Sequence, residues 1–301
     1  MGFFDKKIRQ MESANMSESS TNLLKATSDK AVDVIKELSG KQYTSGKKVI
    51  DNLVVFTNAA GGTGASTLLS NVAYTATREG LSVIIVDLNI MCPVQHTYLS
   101  IDQALEKDDL VSFLNGSTDL NNSIDSSTDI NILFANNRTL SDEINCNNRI
   151  PVENMQSMFQ YLRNYYDLVL VDCPMRIDSM LHNTALYLAD AIYIVWDEGI
   201  SSIINTEKIR RNMALSGIDS YTKMRVILNK RTSLRFSDYS LKKLNLELIG
   251  ELPFSIDVID NSLRGKIFCD KGSATNPNGA EFARQIANVT TKILKIGGYV
   301  F

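Results

Sequence analysis

The chain is poor in the features that mark secreted, membrane-spanning or metal-holding proteins. Its four cysteines, Cys92, Cys146, Cys173 and Cys269, are far apart with no C-x-x-C spacing. They therefore support neither a zinc site nor a disulfide framework, and a reducing cytoplasm is the expected compartment. No apolar run approaches the roughly 20 residues that span a bilayer, and Met1–Arg9 lacks the apolar core of a secretory signal. The Met1-Gly2 start is not a myristoylation signal, because Lys6 stands where Ser or Thr is required. The two histidines, His96 and His182, have no carboxylate or cysteine partner at a diagnostic spacing and read as structural residues. There is no internal repeat and no low-complexity tract. A net charge of −3 argues against a protein that coats nucleic acid generally, while a local basic patch stays open.

What the sequence does contain is an alternation of strand-like and helix-like segments. With 301 residues, 44% hydrophobic and 22% charged, it can bury a large core. Residues 1–47 are rich in Ser, Asn and Lys and read as an appendage. It carries a weak amphipathic pattern at Phe3, Phe4, Ile8 and Met11, for which a frayed chain end is the favoured reading, and Ala31, Val34, Ile35 and Leu38, closed by Gly40, have the spacing of a docking helix. From residue 48 to 301 the pattern is that of one α/β domain, a mostly parallel sheet of seven or eight strands with helices on both faces. Strands are expected at Leu53–Phe56, Val83–Val86, Ile130–Phe134, Leu168–Val171, Ala191–Val195, Met224–Leu228 and Leu246–Ile249. Helices are expected after the first strand through Ala76, at Leu110–Leu114, around Met155–Leu162, and near 179–189, 201–215 and 279–295. The Asn/Ser/Asp-rich stretches 115–128 and 136–149 read as loops.

The first strand enters a glycine-rich turn that opens directly into a helix. Gly61, Gly62, Thr63, Gly64, Ala65, Ser66 and Thr67 read as a phosphate-binding loop, in which glycines let backbone N–H groups approach an anion at a helix N-terminus. A Walker A loop, G-x-x-x-x-G-K-[ST], carries a lysine before its Ser or Thr; this chain carries Ala65 there. Asp87 follows the second strand and Asp172 a later one, where open α/β sheets place their ligands. The three features together point to a nucleotide-type site in which a carboxylate holds Mg²⁺ beside a triphosphate.

On these residues the chain resembles the MinD/ParA-like ATPases with the deviant Walker A loop K-G-G-x-G-K-[ST]-T, over about residues 50–295. The matching elements are the loop, the D-x-[DN] of Asp87-Leu88-Asn89, the Walker B-like Asp172-Cys173-Pro174 and Leu252-Pro253-Phe254. The resemblance implies a P-loop fold, ATP or ADP with Mg²⁺ as cofactor, and a homodimer. It implies Ser66 as Mg²⁺ ligand, Thr67 as an α-phosphate contact, Asp87 as a Mg²⁺ or water-shell carboxylate and Asp172 as the Walker B aspartate. Asn229 would face the adenine, with Pro253 beside it.

Three positions depart from that family. Ala60 replaces the signature lysine, Ala65 the loop lysine, and Asn89 the second switch carboxylate, so that Asp87 and Asn89 form a degenerate catalytic pair. Each lost charge-assisted contact is worth roughly 1.5–3 kcal/mol in binding, and a preorganised charge at the transition state about 100–1000-fold in rate. The expectation is a site that binds nucleotide weakly and hydrolyses it weakly or not at all. A lysine-poor loop of this kind looks like that of the CpaE/TadZ branch, which implies a localisation and assembly factor for a pilus or secretion machine with peripheral membrane contact at most. The alternative is a DNA-segregation or conjugation-associated ATPase. It draws on a basic stretch, Lys208, Arg210, Arg211, Lys223, Arg225, Lys230, Arg231, Arg235, Lys242 and Lys243, set against only Asp219 and Asp238. A solvated face is the competing reading of that stretch. Tyr161, Tyr165 and Tyr166 read as packing residues, and Tyr299 alone does not make the tyrosine-rich tail of the related capsule kinases.

Overall fold

The structure, a computed structural model, describes residues 51–90, 92–101, 108–135, 152–174, 179–232, 238–271 and 274–299. The appendage expected over 1–47, the connection 136–149 and Arg235 lie outside the described residues. Seven strands form one sheet in the order β3-β2-β4-β1-β5-β6-β7. They are β1 (Leu53–Asn58), β2 (Val83–Asp87), β3 (Asn131–Leu133), β4 (Leu168–Cys173), β5 (Ala191–Trp196), β6 (Met224–Arg231) and β7 (Glu247–Pro253). Every neighbouring pair runs parallel.

The helices that cover the sheet or border its C-terminal edge are α1 (Ala65–Arg78), α2 (Gln95–Tyr98), α3 (Val152–Tyr165), α4 (Met180–Leu188), α5 (Ile200–Leu215), α6 (Ile256–Leu263) and α7 (Pro277–Ile296). Strands buried on both faces need side chains that are apolar at every position, and Val83–Val86, Leu168–Val171 and Ala191–Trp196 supply them. Because successive strand side chains alternate, β1 sends Leu53 and Val55 into one core and Val54 and Phe56 into the other. The first core is closed by α3, α4 and α5 through residues such as Phe159, Leu181 and Met213. The second is closed by α1 and α7 through Leu69, Val72, Phe282 and Ile286.

The helical stripes read from the sequence, Leu68–Ala76 and Met155–Leu162, are the buried faces of α1 and α3. Two details differ. The stretch 115–128 is not purely loop: Leu120–Ser123 forms a helical turn, and Asp125 bridges Ile132 on the outer side of the edge strand β3. The last strand runs on past Ile249 to Pro253, because Gly250 leaves room for Val289 of α7 to cross close above it.

β1 lies in the middle of the sheet, between β4 and β5. The chain leaves β1 to reach β2 on one side of it and leaves β4 to reach β5 on the other. The crevice at the C-terminal end of β1 is therefore the place where an open α/β sheet takes a ligand.

Candidate nucleotide site

The loop after β1 is held from both ends. Ala59 donates its N–H to the Val195 carbonyl at 3.0 Å, continuing the ladder to β5. The Asn58 side-chain oxygen accepts from the Thr63 hydroxyl at 2.8 Å and from the Ala65 N–H at 3.3 Å, which draws the loop into a closed turn. Gly62 and Gly64 have φ of +79° and +90°, in the left-handed region that glycine adopts without strain. Gly64 has a second reason to be glycine: a Cβ there would stand 2.7 Å from the Asn229 amide nitrogen. Gly61 and Gly62 are exposed at the mouth, and α1 begins beyond Gly64 with no acidic residue in its first turn. A helix N-terminus and a glycine turn therefore face the crevice with backbone N–H groups.

The two loop positions that lack lysine have different surroundings. Ala60 is half-buried, whereas Ala65 is 1% exposed and packs in the second core with Phe56 and Leu68.

Two carboxylates sit beside the loop. Asp87 and Asp172 are directly in register on β2 and β4, and both are buried. Asp87 accepts from the backbone N–H groups of Asn89 at 2.9 Å, Val94 at 2.9 Å and Gln95 at 3.1 Å. It is thus the anchor of the segment that leads into α2, and the Asn89 side chain reinforces that turn by donating to the Cys92 carbonyl at 2.8 Å. Asp172 accepts from the Gln95 side-chain amide at 2.6 Å, and the Ser66 hydroxyl also bonds to it. Gln95 is wholly buried; its amide also donates to the Ser66 carbonyl at 3.0 Å, and its oxygen accepts from Ser70 at 3.0 Å. Burial pushes the Asp87 carboxyl up to about 8, with the Asp172 charge adding to the effect and the three N–H donors opposing it. Burial also raises Asp172, against the hydrogen bonds from Gln95 and Ser66.

Among the described residues no three His, Cys, Asp or Glu side chains gather as a self-sufficient metal cage. The donors that are present, the Ser66 hydroxyl and the Asp172 carboxylate, are hard oxygen ligands. They fit a magnesium ion that arrives on phosphate oxygens and keeps part of its water shell. Asp87 fits as the residue that orients the surrounding backbone, since both its oxygens are already engaged.

On the other side of the loop a cavity of about 230 Å³ is lined by Gly64, Asn229, Lys230, Pro253, Phe254 and Ser262, among others. That is below the roughly 300–1,000 Å³ of pockets that enclose a whole drug-sized ligand, and it suits one part of a nucleotide. Asn229 is 6% exposed, and its amide donates to the Thr63 carbonyl at 2.8 Å. Next to it the Lys230 ammonium donates to the Gly62 carbonyl at 2.6 Å. Thr67, expected at a phosphate, has its hydroxyl within 3.1 Å of Tyr98 Oη and 3.4 Å of Ser262 Oγ, while Tyr98 and Ser262 meet at 2.8 Å.

The basic stretch does not form one free surface. Arg210 is 9% exposed, lies over the Tyr221 ring at 4.2 Å and donates to the Leu244 carbonyl. Arg225 and Arg231 pair with Glu247 and Glu251 at 3.0 and 2.8 Å, Arg211 faces Glu207 at 3.6 Å, and Lys223 binds the Tyr187 carbonyl at 3.0 Å. Lys208, Lys242 and Lys243 remain as exposed cations among the described residues. The cluster is a feature of the linear sequence, because strand and helix alternate through it. His182 lies buried with Nε2 at 3.2 Å from the Leu88 carbonyl, and His96 stacks on Phe134. Tyr161 and Tyr166 pack against the first core, and Tyr166 accepts from Asn131; Tyr165, expected to pack with them, is 66% exposed and stacks only on Tyr161 at 4.2 Å.

Sequence reasoning misses Gln95, Tyr98 and the special place of Lys230. Gln95 and Tyr98 lie in a segment of weak pattern after Asp87. Lys230 reads in the sequence as one charge in a run, although its position directly after Asn229 at the end of a strand is a usable signal.

Comparison with known proteins fits this geometry. Residues 51–217 match a family model described as an AAA domain, and the chain belongs to that family. Within it the chain is a MinD/ParA-type P-loop ATPase family member. It is 25% identical over 227 residues to a putative septum site-determining protein MinD of Emiliania huxleyi, covering 72% of this chain and 79% of that one. The septum site-determining protein MinD of Pyrococcus horikoshii, solved in complex with Mg-ADP, superposes with a TM-score of 0.64 at 18% identity, covering 80% of this chain and 95% of that one. A putative plasmid partition protein of Borrelia burgdorferi, solved bound to AMPPNP, gives a TM-score of 0.65 at 13% identity, covering 81% and 98%. These likenesses establish the fold. No helix among the described residues is long and apolar enough to cross a membrane.

Proposed function

We propose that this chain is a nucleotide-dependent partitioning protein of the MinD/ParA type, binding ATP or ADP with magnesium weakly and turning it over slowly if at all. The observation that carries the reading is the convergence of the Gly61–Gly64 turn, Ser66 and Asp172 on one crevice, with Asn229 and the cavity beside Pro253 next to it. The turn and the start of α1 bind phosphate oxygens through backbone N–H groups, Ser66 and Asp172 present oxygens to magnesium, and Asn229 and Phe254 receive the base. Magnesium, when bound, neutralises the phosphate charge.

Slow turnover follows from the residues replaced. Ala60 and Ala65 bring no charge to the transferred phosphate, and Asn89 spends its amide on the Cys92 carbonyl. The relatives, which place division sites or partition plasmids, support a role in positioning cargo more than the pilus or secretion branch expected from the loop alone. A homodimer is the assembly we propose. DNA is the cargo that the plasmid-partition relative favours, and the 208–243 stretch adds little to it because most of its cations are already tied.

Calorimetry with ATP and Mg²⁺ on the purified protein tests the reading. We expect binding in the micromolar to millimolar range, weakened by Asp172→Ala and dependent on Mg²⁺. Absence of binding at several millimolar nucleotide would reject it.

A further inference from the structure

Resting on the nucleotide reading, we propose that Lys230 is the phosphate-facing cation of this site. It would supply from the end of β6 the positive charge that the loop itself lacks at Ala60 and Ala65.

Three independent features of Lys230 lead there. The first is backbone geometry. Lys230 has φ +55°, an uncommon conformation for a residue with a side chain. It falls where the β6–β7 register shifts between Leu228 and Arg231. Irregularities of this kind at strand ends re-aim a side chain, and strained backbone concentrates at binding sites. Here the irregularity turns Lys230 back over the loop, so that its Cε lies 3.7 Å from where a Gly64 Cβ would stand.

The second is charge. The Lys230 ammonium is bound to the Gly62 carbonyl at 2.6 Å, a neutral acceptor. Its neighbours in the basic stretch, Arg225 and Arg231, each have a carboxylate partner. Lys230 forms no ion pair among the described residues. One of its three donor positions is used and its charge is uncompensated, the condition in which an ammonium attracts an anion.

The third is what the lysine touches. A planar trans peptide points its N–H away from its C=O. Holding the carbonyls of Gly62 and Thr63 from the β6 side, Lys230 and Asn229 turn the following N–H groups of the loop the other way; that of Thr63 closes on the Ala60 carbonyl at 3.5 Å, which leaves that of Gly64 for an anion. When phosphate arrives, the flexible four-carbon stem lets the ammonium leave Gly62 for the phosphate oxygens, while Asn229 keeps its hold on Thr63.

The test is a titration of the wild-type protein, Lys230→Met and Lys230→Arg with ATP, ADP and adenosine in the presence of Mg²⁺, with thermal melts of each. We expect Lys230→Met to weaken ATP binding about tenfold or more, and adenosine binding several-fold less than that, since Lys230 also lines the cavity that receives the base. Lys230→Arg should stay within a few-fold of wild type for ATP. Unchanged ATP affinity in Lys230→Met overturns the proposal and leaves the nucleotide reading standing. Equal losses for ATP and adenosine also overturn it, since they would show that Lys230 only holds the loop. If the wild type binds no ATP while its melt shows a folded protein, both readings fall.

Discussion

Asp87 and Asp172 stand opposite each other on neighbouring parallel strands, and Gln95 joins them, its backbone N–H on one carboxylate and its side-chain amide on the other. Two buried carboxylates this close do not both ionise readily without a cation between or beside them. Burial raises both carboxyls above the ordinary carboxylate range, and the Asp172 charge adds to the rise at Asp87.

The pH dependence of stability follows. Asp87 is held up to about 8, against an ordinary value of 3.8, so between roughly pH 4 and pH 8 the folded protein binds more protons than the unfolded chain. Stability from this group is complete below that window and is lost as pH rises through it. Asp172→Asn removes the neighbouring charge and keeps an oxygen for the Gln95 amide. Melts without Mg²⁺ at pH 5, 6.5 and 8 should show a fall in Tm for the wild type and a shallower fall for Asp172→Asn. Parallel curves would mean that the pair does not share a proton.

Gly64 and Gly61 make a matched comparison. Gly64→Ala puts a side chain at φ +90°, which costs about 1–2 kcal/mol, and sets its Cβ against the Asn229 amide. Gly61→Ala meets nothing within 4 Å. In urea denaturation Gly64→Ala should lose about 2 kcal/mol or more and Gly61→Ala about 0.5 kcal/mol or less. Nucleotide affinity should fall steeply for the first variant.

Restoring the loop lysine should have opposite effects with and without nucleotide. Ala65 is packed in the second core, so Ala65→Lys crowds an apolar site with a charge and should lower the Tm of the free protein by several degrees, at roughly 2–4 °C per kcal/mol for a domain of this size. ATP with Mg²⁺ supplies the missing counter-charge. The nucleotide-induced rise in Tm should be larger for Ala65→Lys than for the wild type, which a melt in each condition measures directly.

The regular parts of the fold are legible in the sequence because they obey simple periods. Unbroken apolar runs such as Leu168–Val171 and Val83–Val86 mark central strands, and the i, i+3, i+4 stripe of Leu68–Ala76 marks α1. The carboxylates are legible because they end such runs. Gln95 is not, since a four-residue helix carries no period, and its importance comes from contacts 29 and 77 residues away in sequence. The basic stretch misleads for the complementary reason: neighbours in sequence such as Arg210 and Arg225 are drawn to Tyr221 and Glu247, the first brought back by the helical turn after α5 and the second by the pairing of β6 with β7.

Asn229 and Lys230 hold a loop that lies more than 160 residues earlier in the chain. During synthesis the glycine turn is made early, yet its outer face has no support until β6 has left the ribosome and added itself to β5. A closure over such a sequence distance is also among the slower events in folding. The capacity to hold a nucleotide therefore arrives late and all at once, and a growing or truncated chain that ends before β6 would have the motif without the site.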